Sequence, residues 1–194
     1  MNKRDNRASR QEPLRTQNGA RMKKTPEASS AITTELVLPS DANFLGTVFG
    51  GKVMSWIDIT AAIAASRHSR RTVVTASLDA LHFRAPVRVG QIVYLKARVN
   101  YAARTSMEVG VRVESEDPLT GTITHTATAY TTFVALDENG KPTPVPAISP
   151  KTAEDKRRNR EAQHRREARV QLAEKLEKEL SGPRRKRRPK KSPV

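Results

Sequence analysis

The chain has 194 residues, room for one domain with extensions, and carries 36 Lys and Arg against 20 Asp and Glu, a formal net charge of +16. Residues 31–150 hold 11 basic and 10 acidic side chains, residues 1–30 hold 8 and 3, and residues 151–194 hold 17 and 7, so the basicity belongs to the ends and says little about a ligand of the middle. The absence of cysteine excludes disulfide staples, thiol nucleophiles and cysteine metal sites, and the four histidines, His68, His82, His125 and His164, show no metal-ligand spacing.

Residues 1–30 are polar, basic and poor in large apolar side chains, which predicts a disordered tail. They lack the apolar core of a secretory signal, and the longest apolar helix is too short to span a bilayer, so a soluble cytoplasmic protein is expected. Residues 32–38 read as a first strand, ended by Pro39. Pro39, Ser40, Asp41, Asn43 and Gly46 then supply turn chemistry. The paired glycines Gly50 and Gly51 mark the start of a helix over residues 51–67, where backbone N–H groups stand unobstructed at the positive end of the helix dipole. That helix is apolar or small nearly all round, from Val53, Met54, Trp56 and Ile57 to Ala65, which predicts burial. Asp58 sits in it with no cation a turn away on either side, a costly placement unless a site needs the carboxylate.

Residues 72–83 and 91–101 read as further strands. Over residues 105–116 the alternation is strict: Met107, Val109, Val111 and Val113 share one face, predicted buried, and Glu108, Gly110, Arg112 and Glu114 share the other, predicted solvated. A turn at residues 117–121 leads to a last strand over 122–136. An antiparallel sheet with one apolar helix available wraps that helix, an α+β arrangement. After Pro150 the residues are helix formers to Leu180, with Ala168, Leu172, Leu176 and Leu180 in a thin stripe, and Gly182-Pro183 stops the helix. The run Arg184 to Lys191 repels itself and is expected to stay unfolded, with weak nonspecific contact to nucleic acid or anionic membrane. Three segments result: a tail over 1–30, a domain over 31–150 and a basic extension over 151–194, whose removal is expected to leave the domain folded and active.

Five regions carry a family resemblance: Pro39-Ser40-Asp41-Ala42-Asn43 with Gly46-Thr47-Val48-Phe49-Gly50-Gly51 and Trp56-Ile57-Asp58; Val73-Val74-Thr75-Ala76-Ser77; Phe83-Arg84-Ala85-Pro86-Val87-Arg88-Val89-Gly90; Arg104-Thr105-Ser106-Met107-Glu108-Val109; and Phe133-Val134-Ala135-Leu136-Asp137. In this order and spacing the chain, over residues 32–146, resembles the hotdog-fold acyl-CoA thioesterases of the broad-specificity bacterial type, related to animal acyl-CoA hydrolases. The resemblance implies a hotdog fold, hydrolysis of acyl-CoA to a free acid and CoA, and no cofactor. It implies roles as well: Asp58 as general base or nucleophile, Asn43 holding the water, Gly50 and Gly51 donating to the oxyanion, and Phe49, Trp56, Arg104, Thr105 and Ser106 on the substrate, the last three toward its CoA portion. Ala103 departs from the family's glycine before that segment. Matching Asn and Asp of one site come from opposite subunits, so a homodimer is the minimum unit and a hexamer of three dimers the expected total. A different class, an acyl-CoA sensor that binds without hydrolysis and reaches nucleic acid through the tails, lacks a helix-turn-helix pattern in residues 1–30.

Overall fold

A computed structural model of the chain describes residues 21–181. Its first elements are a two-residue strand, β1 (Lys23–Lys24), and a 3-10 turn, Pro26–Ser29, so the disorder expected for residues 1–30 does not extend over the last ten; residues 1–20 lie outside the described residues. These ten residues hold their place through hydrogen bonds rather than apolar burial. Ser29 is fully buried, its hydroxyl donating to Pro26 O and accepting from Val99 N at 2.9 Å, and the Arg21 guanidinium donates to the carbonyls of Ala103, Val145 and Pro146.

The sheet comprises β2 (Ala31–Leu36), β3 (Thr72–Leu78), β4 (Ile92–Ala102), β5 (Ser106–Asp117) and β6 (Thr122–Leu136), all antiparallel, in the order β2-β4-β5-β6-β3. β7 (Ala147–Ile148) pairs in parallel with β1. The third strand is shorter than residues 72–83. A bulge between Thr75 and Ser77 turns it, and after Leu78 the chain keeps only single bonds to β6, Asp79 N to Tyr130 O and Arg84 N to Thr126 O. His82, expected within that strand, is exposed in the loop beyond it.

One face of the sheet curls over α1 (Gly50–Ser69). Val53, Trp56, Ile57, Ala61, Ala64 and Ala65 of the helix meet Leu95, Val99, Met107, Val109, Val111, Val113 and Phe133 of the strands. Three alanines on the contact side let the helix lie close, and burying a side chain such as Ile57 or Phe133 contributes about 1.5–3 kcal/mol. The hydroxyl of Thr60 is satisfied within this apolar layer by Trp56 O at 2.8 Å and by Thr33 Oγ1 at 2.7 Å.

The outer face does not match the alternation read over residues 105–116. Glu108 is 2 % exposed and Gly110 is buried, because α2 (Ala153–Ser181) packs across them. The helix begins with reciprocal capping, Asp155 N donating to Thr152 Oγ1 at 3.0 Å and Thr152 N to Asp155 Oδ2 at 3.1 Å. Along its length Asp155 pairs with Arg98 at 3.2 Å, Asn159 donates to Asn100 O at 2.8 Å, and Ala162 is fully buried. Arg165 stacks 3.6 Å over the Tyr130 ring and reaches Glu108 at 2.7 Å; Arg169 joins Glu108 at 3.1 Å to Asp79 at 2.6 Å. The stripe of Ala168, Leu172, Leu176 and Leu180 is exposed, since the docked side is the polar one. The extension is therefore tied to the sheet rather than separate from it, and residues 184–191, with their expected polyanion contacts, lie outside the described residues.

Candidate active site

Helix α1 has a second face that the sheet does not reach. Met54 is 43 % exposed and Ile59 55 %, and on the neighbouring edge strand β3 Val74 is 43 % and Leu78 38 % exposed. Asp58 stands among them, exposed in the single chain rather than buried. The helix is thus apolar on two sides, of which its own sheet covers one. Thr75 Oγ1 donates to Asp58 Oδ1 at 2.7 Å, which fixes the carboxylate and leaves Oδ2 open. Among the described residues no cation forms an ion pair with Asp58.

Gly50 and Gly51 occupy the first turn of α1, so their N–H groups have no intrahelical acceptor and no side chain caps them. A Cβ on Gly51 would come within 2.7 Å of the Phe49 ring, which covers that turn and is itself 62 % exposed. Beside Gly50 opens a cavity of about 340 Å³ lined by Thr47, Val48, Phe83, Pro86 and Val87. The preceding loop is pinned to the helix start by Asp41, whose carboxylate takes Lys52 Nζ at 3.0 Å and Leu38 N at 3.1 Å, contacts that hold its pKa below the usual carboxylate range. Lys52 also lies 5.5 Å from the Trp56 ring centre.

Asn43 closes this loop on itself: Oδ1 accepts from Leu45 N at 2.9 Å and Nδ2 donates to Thr47 Oγ1 at 3.0 Å. Among the described residues no hydrogen bond or ion pair joins it to Asp58. Asp58 itself lies about 10 Å along the helix axis from Gly51 at about 1.5 Å per residue. Trp56 is a core residue at 6 % exposure. Arg104 is exposed at the β4–β5 turn, with Thr105 O and Arg104 O accepting from Ala135 N and Val145 N, both at 3.0 Å. Ser106 lies in register with Val134, on the face of the sheet opposite Met107 and Phe133, and lines a cavity of about 280 Å³ beneath α2. The chain thus gathers Phe49, Gly50 and Gly51 at one helix end and keeps Asp58, Asn43 and the 104–106 turn at separate places. Among the described residues no three His, Cys, Asp or Glu side chains converge to hold a metal, and no helix is long and apolar enough to cross a membrane.

Thr75 is the site residue that sequence reasoning missed. It falls inside a quoted stretch, but the order of residues gives no sign that the bulged edge strand turns its hydroxyl toward a helix residue seventeen positions earlier.

Residues 45–122 match the model of the thioesterase superfamily. An uncharacterized acyl-CoA thioester hydrolase of Bacillus subtilis is 46 % identical over 136 residues, 68 % of this chain and 79 % of that protein. The cytosolic acyl coenzyme A thioester hydrolase of the rat is 36 % identical over 73 % of this chain and 38 % of its own length. Among solved structures, a hexameric acyl-CoA thioesterase superposes with a TM-score of 0.76 at 47 % identity, covering 78 % of this chain and 97 % of that one. An acyl-CoA hydrolase of Staphylococcus aureus, in complex with butyryl-CoA and CoA, superposes with a TM-score of 0.74 at 36 % identity, covering 82 % and 99 %. The same enzyme has been solved with alanine replacing, singly, an asparagine, an aspartate fifteen residues further on, and a threonine seventeen residues beyond that.

Proposed function

The chain belongs to the hotdog-fold acyl-CoA thioester hydrolases of the thioesterase superfamily, and from that premise we propose that it cleaves acyl-CoA by carboxylate-assisted attack at a site completed by two subunits. The fold and the enzyme class are those the sequence resemblance implied. Asp58 carries the proposal: a carboxylate with no ion pair among the described residues, oriented by Thr75 and set in an apolar surface. Asn43, Asp58 and Thr75 follow one another at the same spacings as the three residues replaced in the Staphylococcus aureus enzyme.

With one oxygen held by Thr75, the other is free to take a proton from a water that attacks the thioester carbon, or to attack that carbon itself and form an anhydride that water then opens; in both routes the C–S bond breaks, CoA leaves as the thiolate and takes up the proton that the water gives up. The carbonyl oxygen gains negative charge in either route. Donors fixed at the start of a 20-residue helix answer that charge without reorganising. Gly50 and Gly51 supply them, with Phe49 and the cavity beside Gly50 flanking the reacting group. Asn43, offering both a donor and an acceptor, holds the water from the partner's side once two chains cover each other's α1 and β3. Arg104, Thr105 and Ser106 receive the CoA portion, a guanidinium for phosphate and hydroxyls for amides. Trp56 supports the helix from the core, so its share in substrate binding is indirect. A dimer is the working unit and a hexamer the full assembly, in a cytoplasmic setting like that of the rat relative.

The test is CoA release from a panel of acyl-CoAs by wild type, Asp58→Ala, Asn43→Ala and Thr75→Val. Asp58→Ala and Asn43→Ala are expected to lose about 10²–10⁴ in kcat, the usual size for removing an acid–base or charge-stabilising group. Thr75→Val should lose less because it orients rather than reacts. Full turnover by Asp58→Ala sinks the assignment, and saturable binding without hydrolysis by wild type favours a sensor instead.

A further inference from the structure

Helix α2 crosses the outer face of the sheet, and beneath it one polar residue from each of four strands stands in a single register row: Tyr101 of β4, Glu108 of β5, Thr132 of β6 and Ser77 of β3. Ser106, two positions before Glu108, faces the same way, because side chains alternate along a strand. Two bulges compose this row. In β3 the register passes from Thr75 opposite Phe133 to Ser77 opposite Thr132, and in β4 from Val99 opposite Val109 to Tyr101 opposite Glu108. Regular pairing would set Ala76 and Asn100 there instead, so each bulge brings a hydroxyl into the row.

Between this floor and α2 lies the cavity of about 280 Å³, whose roof carries Arg166 and Arg169. Its charges do not cancel. Glu108 is taken by Arg165 at 2.7 Å and by Arg169 at 3.1 Å, and Asp79 by Arg169 at 2.6 Å, while Arg166 forms no ion pair among the described residues. Three guanidiniums thus stand against two carboxylates. The hydroxyls have capacity left as well: among the described residues the side chains of Ser77, Tyr101, Ser106 and Thr132 make no hydrogen bond, and Thr132 Oγ1 is buried. A buried hydroxyl without a partner is costly, and a ligand that accepts from it removes that cost. Four hydroxyls around one uncompensated guanidinium suit an anion with several acceptor oxygens. A carboxylate offers two oxygens in one plane; a terminal phosphate offers three, enough to meet donors from the sheet below and from the helix above.

We propose that this cavity binds a phosphate monoester, with Arg166 as its counter-charge and the hydroxyls of Thr132, Ser77 and Ser106 as donors. The site lies on the face of the sheet opposite Met107, Phe133 and α1, and so away from Asp58. Two sources carry such a group: the ribose phosphate of CoA itself, whose CoA portion the proposed function brings to Ser106, and a separate phosphorylated metabolite. Only the first source rests on the proposed function, and binding rather than turnover reads the site.

Calorimetry at constant ionic strength titrates inorganic phosphate into the full chain, and saturable binding is expected. Arg166→Met should weaken it about tenfold or more, the usual size for losing a charge-assisted hydrogen bond. Thr132→Val keeps the branched shape without the hydroxyl and should weaken it about fivefold, as for one neutral hydrogen bond. Arg160 is exposed on α2 and does not line the cavity. Arg160→Met removes the same charge and should leave binding within about twofold, since a charge outside the cavity is screened. Repeating the titration with saturating CoA or 3′-dephospho-CoA separates the sources. Phosphate binding lost with CoA but kept with 3′-dephospho-CoA assigns the group to the substrate, and binding kept with both assigns it to a separate metabolite. Binding lost with both puts a diester in the cavity and contradicts the monoester. No saturable binding by wild type, an Arg166→Met variant that binds like wild type, or an Arg160→Met variant as weak as Arg166→Met overturns the proposal.

Discussion

Glu108 offers the sharpest test of how α2 is attached. Its side chain is 1 % exposed and meets two guanidiniums, Arg165 at 2.7 Å and Arg169 at 3.1 Å, from a helix nearly sixty residues further along the chain. Changing both arginines to Met keeps most of the aliphatic packing and strands a carboxylate. Breaking a buried pair by removing its partners costs about 3–5 kcal/mol. For a domain of this size each kcal/mol is worth about 2–4 °C, so a fall of about 10 °C in melting temperature is expected. The triple change Glu108→Met, Arg165→Met, Arg169→Met removes the stranded charge and should recover most of that loss, because a well-packed apolar replacement of a buried ion cluster is often neutral. Thermal unfolding by circular dichroism at fixed protein concentration measures both. A double variant melting within about 2 °C of wild type would mean that the pair contributes nothing beyond a surface contact. A triple variant as unstable as the double would place the cost in lost packing rather than stranded charge.

His68 gives a pH prediction. It is fully buried with Nε2 donating to Pro146 O at 2.9 Å, and burial, partly opposed by that bond and reinforced by the nearby Lys24 and Arg21 charges, pushes its pKa down to about 4. The unfolded chain binds a proton here near pH 6.5 and the folded chain only near 4, so stability is complete above about 6.5 and falls by about 3 kcal/mol as the pH drops through that window. His68→Gln, which can still donate to Pro146, should flatten the slope of unfolding free energy between pH 4 and 6.5 in urea titrations; an unchanged slope contradicts the assignment. Gly110→Ala should destabilise by about 1–3 kcal/mol through overpacking, since its Cβ would meet Asn100 Nδ2 at 2.5 Å where Asn100 is 3 % exposed. Adding Asn100→Ala should recover much of that loss in the same melting assay, and failure to do so points to the backbone instead.

The strands and helices were largely legible in the residues, because period-2 alternation and an apolar helix opened by paired glycines are local properties of the chain. The last strand runs over Thr122–Leu136 as read, and the other long elements differ from the reading by a residue or two at their ends. The third strand differs by more, since Thr72–Leu78 carries a bulge between Thr75 and Ser77 that shifts its register and then ends at Leu78, and no residue in 79–83 marks that end. Residues 21–30 looked like a tail because they have little to bury; they are held by the Arg21 guanidinium donating to the distant carbonyls of Val145 and Pro146 and by the Ser29 hydroxyl accepting from Val99 N, which composition does not record.

The candidate site divides along the same line. Asn43, Gly50, Gly51 and Asp58 stand close in sequence and announce themselves as a loop and helix start, whereas Thr75 enters only when the edge strand is laid beside the helix. Asp58 and the apolar residues around it could be recognised from the chain alone, but not what covers them. Hydrophobic pattern states that a side chain prefers to leave water; it does not say whose atoms take the water's place. Glu108 is the converse case. Alternation turns it outward correctly, yet it is buried, because Arg165 and Arg169 on one face of a later helix bring the compensating charge. The sequence by itself determined which segments are strand or helix and which way each side chain points, since these depend on neighbours within a few residues. Only the tertiary structure decided which outward faces are covered, because that depends on long-range partners that bring both apolar surface and opposite charge to the same spot.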